Sequence, residues 1–514
     1  MNLKKICAFL CSPFTHNLPL FCVLFILASL TDLIAWIIYG DPMFAFYFAF
    51  HGYVMCYVIA LGAYIFRSVR WYKRLFIGLG IINAAIDIFC HYTLHMGFTY
   101  DMVGIIKATN VSETLEFVDM FFDYKPLLLL ILMGAGCFVL YKYIKKITLP
   151  LFLQIIALLL VCVGLSVSIA KKSTNWGRVF LGKPYLYLTY KLPPDLHQYF
   201  SDIELEYDTY SLPRNIVLII GESFSKNHSS LYGYDKNTNP RLIELREDNF
   251  LYVCDSVLAP ATHTIPCFQS IMSTYSPYSG DMSKEWYECT TIIEVMNKLN
   301  YKTTWVSNQS QKGGYDNVVA KYAELCDTSL WAGNRYEGSN RTSFDEEILP
   351  LLSSVVDTLD AMNFYCVHLM GSHYTFDTRY PTNTWSHFKE EDYQGAESRQ
   401  RYDLATYDNS VLYNDYVVRE VIRFFENDDS LIIYLSDHSL DIYQSSVDYV
   451  GHATGNPISQ LAALQIPYMI YLSEDCKSQH PKMIEYSEQS IKRSFNSADL
   501  IFEILNLIGV KMNS

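Results

Sequence analysis

Two carboxylates and several imidazoles occupy positions where folding can bring them together. Glu222 follows the apolar run Asn215-Ile-Val-Leu-Ile-Ile220 with only Gly221 between them, and Asp437-His438 follow Ser430–Leu435 after a single serine. His368 lies near the end of a third apolar stretch, Phe364–Leu369, with His373 just beyond in Gly371-Ser-His373, and His452 sits in a Gly-His-Ala-Thr segment. A lone histidine is more often a satisfied core or surface residue. Carboxylates and imidazoles converging at strand ends are a divalent-cation site, and nitrogen and oxygen ligands of this kind suit zinc. A hydroxyl is supplied by Ala261-Thr-His-Thr-Ile-Pro-Cys-Phe-Gln-Ser-Ile-Met-Ser-Thr274, which reads as a loop entering a helix. A threonine at that helix start meets free backbone N–H groups and the positive end of the dipole. Metal coordination lowers the pKa of such a hydroxyl and makes it a nucleophile. The plain alternative is an N-cap, and the two roles are compatible.

The elements that must position these groups alternate. Strands are expected at 215–220, 303–307, 364–369, 430–435 and 466–472, and helices at 292–299, 409–425 and 498–507. That alternation predicts a mostly parallel sheet covered on both faces, with chemistry at the carboxyl ends of its strands.

The other half of the chain is different in kind. Apolar runs at about 18–39, 43–66, 75–97, 126–143 and 148–169 each approach the ~20 residues needed to cross a hydrocarbon core. Lys4 and Lys5, then Arg67, Arg70, Lys73 and Arg74, then Lys142, Lys145 and Lys146 lie in alternate loops. Positive charge stays inside, so the N-terminus is cytoplasmic, and an odd number of spans places everything after residue 170 outside. Asp32 and Asp87 fall within spans, where acids are costly. Residues 171–213 hold Trp176, Tyr185, Tyr187, Tyr190 and Tyr199, aromatics suited to the membrane interface. The net charge of −14 argues against nucleic acid as a partner. Six of the thirteen cysteines lie beyond residue 213, an even set compatible with disulfides in an extracytoplasmic domain.

With these residues in view, the chain resembles the phosphoethanolamine transferases of the lipid A and lipopolysaccharide-core type, in the alkaline phosphatase and sulfatase superfamily. The resemblance rests on Gly221-Glu-Ser223, Ser230-Leu-Tyr-Gly-Tyr234 with Thr238-Asn-Pro240, Thr264–Thr274, His368-Leu-Met-Gly-Ser-His373 with Arg379-Tyr-Pro381, Tyr407-Asp-Asn-Ser410 and Ser436-Asp-His438, in that order. It implies an N-terminal five-helix transmembrane domain (1–170), an interfacial bridge (171–213) and a C-terminal α/β sulfatase-like domain (214–514) with a mostly parallel central sheet. It further implies a multi-pass protein of the cell inner membrane, acting as a monomer with its catalytic domain in the periplasm.

The implied chemistry is zinc-dependent transfer of phosphoethanolamine from phosphatidylethanolamine to a lipid A or lipopolysaccharide-type acceptor. Glu222, Thr264, Asp437 and His438 would hold one zinc ion, with Thr264 as the nucleophile. His373 and His452 would hold the transferred phosphate or a second zinc, with His368 nearby and Lys312 beside the phosphate. Thr109 and Glu113 match the segment that binds the ethanolamine end. Thr262 is also in the nucleophile loop. Matching Ile271-Met-Ser273 to the family's helix selects Thr264, and Pro266 suits the first turn of that helix. Related enzymes staple this region, which implies a Cys254–Cys267 bridge. Three departures stand out. Ile105 replaces an asparagine, Ser439-Leu-Asp441 replaces Gly-Glu and leaves Asp441 as a stand-in acid, and Lys312 is one residue out of register. Other activities of the same metal core (phosphoglycerol transferase, phosphodiesterase, sulfatase) and a non-catalytic membrane sensor or scaffold are the alternatives. Cys267-Phe-Gln269 lacks the sulfatase signature Cys/Ser-X-Pro-X-Arg. The orientation is checked by a reporter fused after Ser514, expected to be active only outside the cytoplasm; activity inside would overturn the span count.

Overall fold

The computed structural model describes residues 3–39, 42–93, 122–170, 194–200, 203–208, 212–278, 284–309, 311, 318–333, 343–356, 361–394, 397–447, 449–452 and 456–513, with isolated positions between 98 and 118 and between 183 and 188. For 3–4, 31–39, 42–50 and 167–170 it describes the backbone alone. The chain divides into two compact units, residues 1–106 with 121–191, and residues 107–120 with 192–514.

The first unit is helical. Its long helices are α1 (Leu18–Tyr39), α2 (Pro42–Ile65), α3 (Tyr72–Thr93), α4 (Tyr124–Ile144) and α5 (Leu151–Ala170), of 20 to 24 residues each. At 1.5 Å rise per residue each reaches about 30 Å or more. Among the described residues, α3 and α4 are long and apolar enough to cross a membrane, whereas the other three offer the shorter apolar stretches Leu18–Leu30, His51–Ile65 and Leu151–Ser166. Two of the five expected spans therefore meet both criteria. Helix α4 turns Leu127, Ile131, Leu132 and Phe138 outward, a dense apolar surface of the kind that marks contact with membrane or partner. Asp87 on α3 is not isolated. Its carboxylate meets Lys183 Nζ at 2.7 Å and accepts from Asn83 Nδ2 at 2.8 Å, and all three residues are buried. The side chain of Asp32 lies outside the described residues.

The second unit is built on an eight-stranded sheet: β1 (Asn215–Gly221), β2 (Leu251–Leu258), β3 (Lys302–Ser307), β4 (Thr328–Trp331), β5 (Asn363–His368), β6 (Ser430–Ser436), β7 (Gln465–Leu472) and β8 (Phe495–Asn496). The order is β8-β2-β7-β6-β1-β5-β3-β4. All neighbours are parallel except β7, which runs antiparallel to both β2 and β6. The sheet is therefore mixed, mostly parallel. Strand β1 is buried along its whole length, as a central parallel strand covered on both faces must be.

Side chains alternate faces with period two. Ile216, Leu218 and Ile220 enter one core with Leu431, Ile433 and Leu435 of β6, while Val217 and Ile219 enter the opposite core with Ile432 and Tyr434. The first core is closed by α7 (Thr264–Ile271), through Cys267, Phe268 and Ile271, and by α8 (Ile292–Lys298); the second is closed by α6 (Pro240–Glu247) and α9 (Ser398–Arg423). Phe268 is fully buried, so Phe268→Ala would cost roughly 3–5 kcal/mol and loosen the helix that carries the candidate nucleophile.

The expected bridge is corrected. All thirteen cysteines are free, Cys254 Sγ lies near the Ser490 and Arg493 carbonyls, and Cys267 Sγ points to Ala261 O at 3.2 Å. The two thiols belong to different elements of one core and are held by different backbone partners. Peptide mapping after denaturation without reductant is expected to recover both Cys254 and Cys267 fully alkylated; a peptide pair linked through them would contradict the fold described.

Candidate metal and nucleophile site

The site begins with register. Strands β1 and β6 pair with Gly221 opposite Ser436, and Asp437 N–H donates to Gly221 O at 3.0 Å. Glu222 and Asp437 thus leave the sheet side by side at the carboxyl ends of neighbouring strands. The chain must turn sharply there. Ser223 adopts a left-handed conformation (φ 57°), and Tyr407 holds the turn: its hydroxyl accepts from Ser225 N at 2.7 Å and donates to Ser223 O at 2.9 Å. From the other side Gly371 (φ +55°) presses against Glu222. A Cβ at Gly371 would lie 2.5 Å from Glu222 O, so only glycine fits. Asp345, itself buried, accepts from Met370 N and Gly371 N, each at 2.8 Å, and fixes that loop.

Ligand atoms of Glu222, Asp437 and His438 lie within 4.8 Å of one another, all buried. His438 Nε2 is 3.2 Å from Glu222 Oε1 and 3.5 Å from Asp437 Oδ2. The other ring nitrogen, Nδ1, contacts Ser439 O at 3.0 Å. A carbonyl only accepts, so Nδ1 carries a proton and Nε2 is the nitrogen that faces the carboxylates, the usual arrangement of a metal-binding histidine. Thr264 is the first residue of α7, and its Oγ1 lies 3.2 Å from Glu222 Oε2 and 3.4 Å from His438 Nε2. Its hydroxyl therefore joins the same constellation, at a helix end where backbone N–H groups are unpaired. Pro266, also in the first turn, forfeits no helical hydrogen bond. The cap position itself belongs to His263, not Thr264. Thr262 turns away, its hydroxyl meeting His263 Nδ1 at 3.0 Å.

The remaining residues sort by distance. The His452 ring is 4.4 Å from the His438 ring, and the His263 ring stands edge-on 4.8 Å from His452. His373 Nδ1 contacts Tyr374 O at 2.8 Å. Arg379, buried, donates to His373 O and Tyr374 O at 2.7 and 2.9 Å and holds that loop. His368 is fully buried between Phe268 and Trp305, with Ser307 Oγ 3.1 Å from its Nδ1, and so belongs to the layer packed under α7. Asp441 is corrected as a stand-in acid. Its carboxylate is spent within its own turn, accepting from Gln444 N at 2.8 Å and from Ser445. Lys312, Thr109 and Glu113 lie outside the described residues. Sequence reasoning missed His263, although it sits between the two threonines weighed as nucleophiles. It also missed the positioning residues Tyr407, Gly371 and Asp345, whose only signal is a shape not visible in one dimension.

Electrostatics mark the same cluster. Burial and the neighbouring Glu222 push the Asp437 carboxyl up to about 8. Burial alone would lower His438, but Asp437 and Glu222 outweigh it and hold the imidazole at about 9. Burial works to raise Glu222, yet His438 and its hydrogen bonds keep that carboxyl well below the usual range. The donor set suits a cation. Asp437 Oδ2 is buried and accepts no hydrogen bond from the described residues, a costly state for a carboxylate oxygen unless a positive centre faces it. Two carboxylates, one imidazole and one hydroxyl match the N/O chemistry of zinc.

Two measurements follow. Replacing Glu222, Asp437 or His438 by alanine is expected to weaken zinc binding by more than the roughly 10–100-fold typical of a changed supporting residue; stoichiometric, tight zinc in His438→Ala would exclude the site. Without metal, Asp437 and His438 hold protons up to about pH 8 and 9, and zinc takes the deprotonated forms. Zinc affinity should therefore rise with pH through 7–9, with proton release seen by calorimetry in two buffers; a pH-independent affinity would contradict this.

Comparison with known proteins places this geometry. The sulfatase family model matches residues 214–510. A phosphoethanolamine transferase of Escherichia coli K12, EptC, is 24% identical over 466 residues, covering 84% of this chain and 79% of its own. A phosphoethanolamine transferase of Helicobacter pylori, EptA, is 25% identical over 445 residues, covering 82% of this chain and 80% of its own. Among solved structures, the zinc complex of the C-terminal periplasmic domain of E. coli EptC superposes with a TM-score of 0.54 at 25% identity, over 62% of this chain and 87% of that one. The integral membrane lipooligosaccharide phosphoethanolamine transferase A of Neisseria meningitidis superposes with a TM-score of 0.63 at 17% identity, over 97% of this chain and 96% of that one, and shares its fold.

Proposed function

Because the chain belongs to the sulfatase family, and its site joins a threonine hydroxyl to a cation-binding set, we propose that it is a membrane-bound, zinc-dependent phosphoethanolamine transferase. Phosphatidylethanolamine is the donor and a lipid A or lipopolysaccharide-type glycolipid the acceptor. All five long helices cross the inner membrane, residues 171–213 follow the interface, and the domain from residue 214 works as a monomer in the periplasm. The single observation that carries the reading is the placement of Thr264 Oγ1 within 3.4 Å of both Glu222 and His438 at the start of α7. The relatives named phosphoethanolamine transferases support the choice of group transferred.

Glu222, Asp437, His438 and Thr264 Oγ1 would hold one zinc ion, which supplies Lewis acidity to the hydroxyl and to the phosphoryl oxygens. Thr264 Oγ attacks phosphorus, the bond from phosphorus to the glycerol oxygen breaks, and diacylglycerol leaves with the threonine proton. The N–H groups at the start of α7 and the imidazoles of His373 and His452 stabilise charge on the transferring group. An acceptor oxygen then attacks phosphorus, the Thr264–phosphorus bond breaks, and Thr264 regains a proton. Lys312 would stand by the phosphate, and Thr109 and Glu113 would receive the ammonium end. Nothing in this sequence of bonds requires a second metal.

The full-length protein in vesicles holding phosphatidylethanolamine and no acceptor is expected to gain one phosphoethanolamine mass on the Thr264 peptide. Thr264→Ala should abolish it and reduce turnover by about 10⁴-fold or more, as for other covalent nucleophiles. A label that persists in Thr264→Ala and vanishes in Thr262→Ala would move the nucleophile by two residues.

A further inference from the structure

His263 is absent from the ligand set and from the bond changes above, yet it occupies the residue before the nucleophile. Capping does not account for it. Cap positions favour Ser, Thr, Asn or Asp, whose side chains accept from the first-turn N–H groups, and His263 makes no such bond. Its imidazole instead stands edge-on to His452, 4.8 Å between centroids, and His452 is in turn 4.4 Å from His438. Thr262 engages the ring at Nδ1, 3.0 Å from its hydroxyl. A hydroxyl can donate to an imidazole lone pair, and that polarity puts the ring's proton on Nε2. His452 Nδ1 is buried with no hydrogen-bond partner among the described residues. The wall next to Thr264 thus carries one imidazole engaged at Nδ1 by a hydroxyl and one buried ring nitrogen without a partner among the described residues, at the mouth of a helix whose N–H groups favour anions.

We propose that His263 is a further positioning residue for the transferred group: Thr262 fixes its tautomer so that Nε2–H donates to a phosphoryl oxygen of the phosphoethanolamine entering or leaving Thr264. The inference rests on the transferase reading and adds to it a donor on the nucleophile loop itself. The ligand class is a phosphodiester or a phosphothreonine ester, whose non-bridging oxygens only accept. His263 is not among the residues that would hold the metal, Glu222, Asp437 and His438, so loss of the His263 nitrogen should leave zinc content intact.

The test uses the full-length protein in phosphatidylethanolamine vesicles, reading three quantities: zinc per chain, the single-turnover rate of Thr264 modification by peptide mass, and the melting temperature. His263→Phe keeps a ring against His452 and removes both nitrogens. It is expected to bind zinc as the parent does and to modify Thr264 about 10²–10³-fold more slowly, the effect of deleting one preorganised donor. His263→Gln restores an N–H donor and should recover part of that rate. Thr262→Val, which leaves the tautomer unfixed, should slow the same step by a smaller factor. A His263→Phe protein that modifies Thr264 at the parental rate overturns the proposal. So does one that loses zinc or melts early, and so does a His263→Gln protein no faster than His263→Phe. Transfer that survives in Thr264→Ala overturns the transferase reading itself, and is told apart by that variant alone.

Discussion

Two fully buried carboxylates stand side by side at the ends of adjacent parallel strands, and everything around them answers that repulsion. Glu222 and Asp437 share one imidazole, His438, between them, and among the described residues one Asp437 oxygen has no hydrogen-bond partner. Taking such charges out of water costs several kcal/mol each in a real protein. The folded chain offsets part of this by pushing the Asp437 carboxyl and the His438 imidazole up toward their protonated forms, and a divalent cation would answer the same repulsion. A site of this kind is a demand for a cation before it is a statement about any reaction.

The fold supplies the precision that demand requires. Parallel pairing of β1 with β6 fixes the two strand ends level, and the turn after β1 is then pinned from two directions, by Tyr407 and by the close approach of Gly371. Helix α7 comes to the same point from the other core, seated by Cys267, Phe268 and Ile271. Its first residue is a threonine, so packing on the sheet face and delivery of the hydroxyl are one event. The contacts that make the sheet stable therefore also set the distance between hydroxyl and ligands, which is what preorganisation means in this molecule.

Much of this was legible in one dimension. The runs 215–220 and 430–435 announce themselves as buried strands because every residue after the first, Asn215 or Ser430, is apolar, and the acid that follows each run after one intervening residue falls at the carboxyl edge by the direction of the chain. The parts that were not legible have physical reasons. Strand β2 carries Asp255 and exposed positions and does not alternate cleanly, so its pattern is weak. The antiparallel course of β7 depends on a crossover that no local pattern encodes. The expected Cys254–Cys267 bridge fails because pairing needs a shared approach of two Cβ atoms, whereas each thiol here faces its own backbone carbonyl. Asp441 looked like a spare acid because sequence shows its charge and not its neighbours, which claim it for a turn. His263 has no one-dimensional signal, because a histidine between two threonines reads as a loop residue until the fold sets its ring against His452.

The most direct measurement is X-ray absorption at the zinc edge on the full-length protein loaded with one equivalent of zinc. The expected spectrum shows a shell of nitrogen and oxygen only, at about 2.0–2.2 Å, containing a single imidazole, and a loss of one oxygen scatterer in Thr264→Ala. A sulfur shell near 2.3 Å, which would bring in Cys267, or two or more imidazoles at one equivalent, would contradict the claim that Glu222, Asp437, His438 and the Thr264 hydroxyl form the metal centre.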